Sequence, residues 1–129
     1  MVWLLVVDDN DDLRFSLKNQ LEELNFKVIE SKNGKEGLVI ALSKNPDLII
    51  TDVMMPLMDG KEFCKVVKSN FETSHIPVIM ITALSDIGDK VDGIKMGADA
   101  KIEKPFNVKV LNFRAQNIFP SISAIFVFY

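Results

Sequence analysis

Short apolar runs alternate along the chain with segments whose apolar residues recur every three or four positions. Five runs predict strands, at residues 3–7, 28–29, 47–51, 76–82 and 100–102. A continuous apolar run indicates a strand that is covered on both faces, as in a parallel sheet. The apolar pattern therefore favours a sheet of five parallel strands.

The segments that follow these runs predict amphipathic helices, at residues 11–24, 35–43, 60–69, 86–96 and 108–119. In the first of them, four leucines from Leu13 to Leu24 recur at helical spacing and share one face. Gly97 is predicted to cap the fourth helix in a left-handed conformation, and Pro120 to end the fifth. Strand and helix alternate five times, which predicts a doubly wound α/β fold with right-handed crossovers.

The composition excludes several other classes of protein. The 129 residues fit one domain, and 15 basic against 18 acidic side chains give a net charge of −3, without the basic footprint of nucleic-acid binding. Cys64 is the single cysteine and His75 the single histidine, which excludes an internal disulfide and a Cys/His zinc site. A signal-peptide pattern is absent, and no apolar run reaches the roughly 20 residues that span a bilayer. Together these features predict a cytoplasmic protein with no membrane span.

Acidic, hydroxyl and basic side chains come at the ends of the predicted strands. Asp8 and Asp9 follow the first strand, and Asp52 follows the third. Thr82 ends the fourth strand, and Lys104 comes shortly after the fifth. Ligands of open α/β sheets bind at the carboxyl ends of the strands. If the first and third strands are neighbours, the three carboxylates meet in one pocket.

Three carboxylates in one pocket need a positive charge beside them. Two unit charges 4 Å apart repel by about 4 kcal/mol at an effective dielectric constant of 20. Mg²⁺ suits a site made of oxygen ligands, and Lys104 supplies a second positive charge. Such a set favours metal-assisted phosphoryl transfer, in which Asp52 is the candidate nucleophile that forms an acyl phosphate.

Each of these residues alone also has an ordinary structural explanation. An aspartate after a strand is often the N-cap of the next helix, and Asp11 or Asp12 is predicted to have this role. Thr82 alone could be a strand residue, and Lys104 alone a solvated surface charge. It is their combination at successive strand ends that favours a functional site.

Five stretches of the chain match the motifs of one known family. They are VVDDN (6–10), LIITDVMMPLMDG (48–60), IPVIMITA (76–83), GADA (97–100) and KPF (104–106). Together they resemble the receiver domains of two-component response regulators, of the chemotaxis-protein Y type. The resemblance covers roughly residues 3–119. It implies a flavodoxin-like fold whose five parallel strands have the order 2-1-3-4-5.

The resemblance also implies a role for each acidic residue of the site. Asp52 corresponds to the phosphoacceptor of the family. Asp8 and Asp9 correspond to the acidic pair that holds Mg²⁺, Asp9 directly and Asp8 mainly through water, with Mn²⁺ as an alternative ion. Asp52 and the backbone carbonyl of Met54 complete the implied metal ligands. Met54 and Leu84 flank the route of the hydrolytic water in the family, and because both are bulky and apolar here, we predict slow self-dephosphorylation.

Further residues are implied to contact the phosphoryl group. The Thr82 hydroxyl and the Ala83 backbone N–H correspond to its hydrogen-bond donors. Lys104 corresponds to the phosphate-pairing lysine, and Pro105 to the cis-proline that directs it into the pocket. Lys101 stands where the family usually has an aromatic residue that reports phosphorylation, and we predict that this lysine faces solvent.

The family's mode of action implies a signalling switch, not an enzyme that turns over a separate substrate. A histidine kinase donates the phosphoryl group, and the face formed by the fourth helix, fifth strand and fifth helix then changes its binding to an output domain or effector protein. We predict a receiver domain at residues 1–119 and an apolar tail at 120–129. That face and the tail are the two candidate surfaces for a dimer. Whether the chain is free-standing or part of a hybrid sensor kinase stays open.

Three other interpretations explain less of the sequence. A phosphatase of the haloacid-dehalogenase type is suggested by Asp9-Asn10-Asp11, but the next residue is Asp12 where that family has threonine or valine. A flavodoxin-like FMN carrier needs a hydroxyl- or glycine-rich loop after the first strand, where this chain has acids. A calcium loop that begins at Asp8 would place Leu13 at its obligatory glycine.

Overall fold

The computed structural model describes residues 2–83 and 97–118. Its five strands are β1 (Trp3–Val7), β2 (Lys27–Ser31), β3 (Leu48–Asp52), β4 (Val78–Thr82) and β5 (Ala100–Glu103). The helices in the described part are α1 (Asp11–Glu23), α2 (Gly34–Lys44), α3 (Gly60–Ser69) and α4 (Val108–Ile118). The helix predicted at 86–96 and the tail predicted at 120–129 lie outside the described residues.

The strands form one parallel sheet with the order β2-β1-β3-β4-β5, which confirms the order that the resemblance implies. In the register of β1 and β3, Val7 is paired with Thr51, and in that of β3 and β4, Asp52 is paired with Ile81. The carboxyl ends of the three central strands therefore lie at the same level. Residues that end these strands, or follow them, share one edge of the sheet.

An apolar layer covers each face of the sheet. Because successive side chains of a strand point to opposite faces, Leu4 and Val6 pack in one layer and Leu5 and Val7 in the other. Every residue of β3 and β4 is buried, as the continuous apolar runs predict for central strands. Cys64 is a packed thiol in the second layer, where burial raises its pKa to about 11.

The first helix differs from its prediction at its start. Asn10, and not Asp11 or Asp12, is the N-cap, and its side chain accepts a hydrogen bond from the Leu13 N–H at 3.0 Å. The two aspartates lie in the first turn, where carboxylates interact favourably with the helix dipole. Leu13 was predicted on the buried face but is 49% exposed, and its neighbour Arg14 is buried instead.

Three predictions concern the segment around β5. Gly97 has a φ of 93°, the left-handed conformation predicted for it. Lys101 was predicted to face solvent and is half-buried; within β5 it lies on the face of the strand opposite to the buried residues Ala100 and Ile102. The peptide bond between Lys104 and Pro105 is cis, as the resemblance implies.

Candidate functional site

Three carboxylates meet at the carboxyl edge of the sheet. Oxygens of Asp8, Asp9 and Asp52 lie within 4.8 Å of one another. Asp8 follows β1 and Asp52 ends β3, and each of these two residues is 9% exposed, whereas Asp9 is exposed. The adjacency of β1 and β3 therefore builds the acidic pocket that the strand ends predict.

Asp8 is held by hydrogen bonds to its backbone and its side chain. Its N–H donates to the Ser31 carbonyl at 3.1 Å, and its Oδ1 accepts from the Asn10 N–H at 2.9 Å. Burial raises the pKa of Asp8 above its ordinary value, and the nearby charge of Asp52 adds to this effect, while the bond from Asn10 opposes it. The pocket thus disfavours its own negative charge, and a bound cation would relieve this.

Asp52 contacts a backbone donor and a lysine. Its Oδ1 accepts a hydrogen bond from the Val53 N–H at 2.8 Å, and its Oδ2 lies 3.3 Å from Nζ of Lys104. Lys104 lies between β5 and α4, and its own N–H donates to the Thr82 carbonyl at 2.7 Å. This bond ties the backbone of the lysine to the end of β4, so its ammonium group reaches the carboxylate pocket.

Thr82 carries a buried hydroxyl group that has no hydrogen-bond partner among the described residues. The residue is fully buried, and its Oγ1 makes no hydrogen bond in the described part of the chain. An unpaired buried hydroxyl is costly, so such groups in native proteins call for an explanation. The Thr82 hydroxyl lies at the same sheet edge as the acidic pocket, where it can donate a hydrogen bond to a group that enters the site. Ala83, the next residue, is half-buried.

The loop between β3 and α3 approaches Asp52 very closely. The Gly60 N–H donates to the Val53 carbonyl at 2.8 Å, and a Cβ atom built on Gly60 would lie 2.0 Å from the Asp52 carbonyl oxygen. Glycine at this position therefore lets α3 begin directly against the site. In the same loop, the Met54 side chain is 63% exposed, and Leu57 has a φ of 69°. The sequence reasoning did not single out Gly60, although an Asp-Gly pair before a helical segment signals such a start.

The donor set fits a hard divalent cation. The three grouped ligands are carboxylates, and oxygen-only sites of this kind suit Mg²⁺, Ca²⁺ or Mn²⁺ rather than Zn²⁺ or copper. A cation would offset the repulsion between Asp52 and Asp8, which adds to the raised pKa of Asp8. An entering acceptor would supply a partner for the Thr82 hydroxyl, which has none among the described residues. The cluster could therefore hold a metal ion. In the described part of the chain, no helix is long and apolar enough to cross a membrane.

Comparison with known proteins identifies the family. The family model of the response regulator receiver domain matches residues 4–116. The chain therefore belongs to this family, and it is a signalling domain of two-component systems. This finding confirms the resemblance that the motifs suggest.

Similar proteins include both kinases and regulators. The chain is 44% identical over 115 residues to histidine kinase P4 of Formosa agariphila, and 44% identical over 115 residues to the probable transcriptional regulator ycf27 of Cyanidium caldarium. Both alignments cover 89% of the chain, but they cover 8% of that kinase and 45% of that regulator. The chain thus spans less than half the length of these relatives.

Solved structures of receiver domains have the same fold. The signal receiver domain of a histidine kinase from Syntrophus aciditrophicus superposes with a TM-score of 0.87 at 36% identity, over 94% of this chain and 92% of that one. The chemotaxis response regulator CheY4 of Vibrio cholerae superposes with a TM-score of 0.84 at 32% identity, over 92% of this chain and 98% of that one. Both likenesses support the doubly wound fold described above.

Proposed function

We propose that the chain accepts a phosphoryl group from a histidine kinase on Asp52, in a reaction that depends on Mg²⁺, and that phosphorylation switches its binding to a partner. The observation that carries this proposal is the environment of Asp52. Its carboxylate is grouped with those of Asp8 and Asp9 and lies 3.3 Å from Nζ of Lys104. The proposed nucleophile, the proposed metal ligands and the proposed phosphate-pairing cation thus lie in one pocket.

In the proposed reaction, a carboxylate oxygen of Asp52 forms a bond to phosphorus while the phosphorus–nitrogen bond of the phosphohistidine breaks. The electron pair of that bond stays on the donor imidazole, which takes up a proton. Lys104 pairs with an oxygen of the transferred group. Bound Mg²⁺ would neutralise charge on the carboxylates and the phosphoryl oxygens. Asp8, Asp9, Asp52 and the Met54 carbonyl are the proposed ligands of this ion.

Thr82 is the proposed sensor of the phosphoryl group. Its hydroxyl would donate to a phosphoryl oxygen, and the Ala83 N–H would donate to another. A buried hydroxyl without a partner costs about 1–3 kcal/mol. Gaining a partner on phosphorylation can therefore bias a two-state equilibrium of the domain. The output is altered binding to an output domain or effector, not turnover of a separate substrate.

The proposed receiver extends over residues 1–119. The two candidate dimer surfaces include the segments 86–96 and 120–129, and both segments lie outside the described residues. The chain is similar both to a histidine kinase and to a transcriptional regulator. Two contexts for the receiver are therefore proposed: as part of a hybrid kinase, or together with a separate effector.

The proposed function is tested by loading the full chain with acetyl phosphate in Mg²⁺ and measuring its intact mass. We expect the mass to rise by one phosphoryl group, and hydroxylamine to remove the label because it cleaves acyl phosphates. Omitting Mg²⁺ should prevent labelling. A chain that gains no mass, or whose label resists hydroxylamine, would contradict the proposal. Phosphotransfer from a panel of purified histidine kinases would then identify the donor.

Substituting Asp9→Asn should weaken Mg²⁺ binding with little effect on stability. Asp9 is one of the three clustered carboxylates, but its side chain is exposed, so replacing it leaves the core unchanged. Loss of a group that only supports a ligand typically costs about 10–100-fold in metal affinity, and loss of a ligand should cost at least as much. Isothermal calorimetry measures the affinity. Asp12→Asn is the matched control, since Asp12 is an exposed carboxylate in the first turn of α1, outside the group. Equal affinities of the two variants would remove Asp9 from the site.

The phosphorylated protein should lose its label slowly. Met54 follows Asp52 by two positions, and its exposed thioether is too weak an acceptor to orient an attacking water. Met54→Asn should therefore shorten the lifetime of the label severalfold in a timed decay. Leu57→Asn is the control, because Leu57 is exposed in the same loop and asparagine tolerates its positive φ. A wild-type half-life of seconds would contradict the prediction. Leu84, the other bulky residue, lies outside the described residues.

A further inference from the structure

Arg14 is a buried cation that connects the metal site to two other segments. Its side chain is 10% exposed, although it lies on a surface helix. Nη1 donates to the Asp8 carbonyl at 2.7 Å, Nη2 to Oδ1 of Asp11 at 2.6 Å, and Nε to Oε1 of Glu30 at 3.2 Å. Burying a guanidinium is costly unless its donors are paired, and here all three nitrogens are paired.

The bond to the Asp8 carbonyl bears directly on the site. This carbonyl belongs to the peptide group that joins Asp8 to Asp9, the two acids that follow β1. The planar guanidinium presents its donors in a fixed geometry, so the bonds to Asp11 and Glu30 define where Nη1 stands. The chain turns just after this peptide, because the Asn10 N–H bonds back to the Asp8 carboxylate. Arg14 therefore fixes the peptide from which both carboxylates extend.

We propose that Arg14 is a positioning residue for the metal site. By holding the Asp8 carbonyl, it orients the carboxylates of Asp8 and Asp9 toward Asp52 and so raises the affinity for a divalent cation. It contacts none of the reacting atoms. The inference rests on the proposed function, because it concerns the same Mg²⁺-dependent site.

A positioning role and a purely electrostatic role predict opposite signs. A positive guanidinium near the pocket repels a cation, so removing the charge alone would tighten Mg²⁺ binding. Removing a bond that orients two ligands would weaken it. The direction of the change in affinity thus separates the two explanations.

The experiment is calorimetric titration of the full chain with Mg²⁺, for wild type and three variants. The single tryptophan, Trp3, starts β1 at the end of the strand away from Asp8, so calorimetry is preferable to intrinsic fluorescence. Arg14→Gln should weaken binding by about tenfold or more. Arg14→Lys, which keeps the charge and one donor site, should recover part of the loss. Glu30→Gln is the matched control, because the glutamine Oε1 can still accept the bond from Nε. This variant therefore removes a charge beside the same guanidinium while the guanidinium keeps its position and its bond to Asp8.

Labelling with acetyl phosphate supplies a second measurement. We expect Arg14→Gln to need a higher Mg²⁺ concentration for half-maximal labelling, with the maximal rate restored at saturating Mg²⁺. A variant that is merely less stable would lose maximal rate without this shift. If Arg14→Gln does not fold, Arg14→Lys decides the question by the same measurements.

Two results would overturn the positioning role. One is Mg²⁺ affinity in the Arg14 variants equal to or tighter than in the wild type. The other is a loss no greater than in Glu30→Gln. If the wild type binds Mg²⁺ and is labelled while the variants behave identically, the inference alone fails. A wild type that neither binds Mg²⁺ nor takes up label would overturn the proposed function as well.

Discussion

An Asp52→Asn variant is expected to take up no phosphoryl group, from acetyl phosphate or from a histidine kinase. The amide that replaces the carboxylate has no anionic oxygen to attack phosphorus and is a weaker ligand for Mg²⁺. Of all single substitutions in the pocket, this one should have the largest effect on labelling. Intact mass after incubation in Mg²⁺ measures it directly.

The same substitution should leave the fold intact. Asparagine has nearly the shape of aspartate, and its side-chain oxygen can still accept the bond from the Val53 N–H. The variant loses the ion pair with Lys104, but it also removes a like charge from the neighbourhood of Asp8, whose pKa Asp52 helps to raise. We therefore expect a melting temperature equal to that of the wild type or higher, so that a loss of labelling cannot be ascribed to unfolding.

A control in the same loop makes this result specific. Asp59 is exposed and is the N-cap of α3, where its side chain accepts from the Glu62 N–H at 2.9 Å. Asparagine is an equally good N-cap, so Asp59→Asn should be labelled like the wild type. Labelling of Asp52→Asn at the wild-type rate, or a hydroxylamine-sensitive label mapped to another aspartate, would refute Asp52 as the phosphoacceptor.

The parts of the structure that could be predicted from sequence depend on simple periodicities. Fully buried strands such as β3 and β4 are continuous apolar runs, and polar residues that directly follow them must lie at the carboxyl edge. The acidic pocket was predictable because it needs only the adjacency of β1 and β3. The order of all five strands came from the motifs, since periodicity carries no information on which strands pair.

The parts that were missed depend on contacts between distant residues. The buried face of α1 follows Arg14, Leu17, Leu21 and Leu24, with a spacing as regular as that of the series predicted from Leu13. Hydrophobicity favours burial of Leu13. Arg14 is buried instead because it bonds to the Asp8 carbonyl and to Glu30, which lies 16 residues away on β2. The Asp59-Gly60 pair marks where α3 begins, but the sequence does not show how closely Gly60 approaches Asp52, because this depends on where α3 packs.

A Gly60→Ala variant is expected to be severely destabilised, and to lose its label as well if the end of β3 shifts. The added Cβ would lie 2.0 Å from the Asp52 carbonyl oxygen and 2.8 Å from Cα of Val53. Both atoms belong to the backbone, so no side-chain rotation relieves the clash. Either α3 must retreat or the end of β3 must shift. We expect a loss at or above the upper end of the roughly 0.5–3 kcal/mol that most substitutions cost, measured by urea unfolding.

Gly37→Ala separates the steric cause from a general effect of replacing helical glycine. Gly37 lies within α2, where alanine is favoured over glycine by about 1 kcal/mol, and the three atoms nearest to its added Cβ belong to side chains. The nearest are Val7 Cγ2 at 3.1 Å and ring atoms of Phe63 at 3.3 Å, so these side chains must move by a few tenths of an ångström. We expect Gly37→Ala to remain close to the wild type in stability and in labelling.

Measuring both the stability and the Mg²⁺ affinity of Gly60→Ala also indicates whether α3 or the end of β3 moves. If the end of β3 shifts, the Asp52 side chain moves away from those of Asp8 and Asp9, and Mg²⁺ affinity falls together with stability. If α3 retreats instead, stability falls while Mg²⁺ affinity is retained. Because the φ of Gly60 lies outside the left-handed region, backbone strain adds nothing to either outcome. A variant as stable and as fully labelled as Gly37→Ala would show that the close approach of α3 is not required to hold the Asp52 backbone in place.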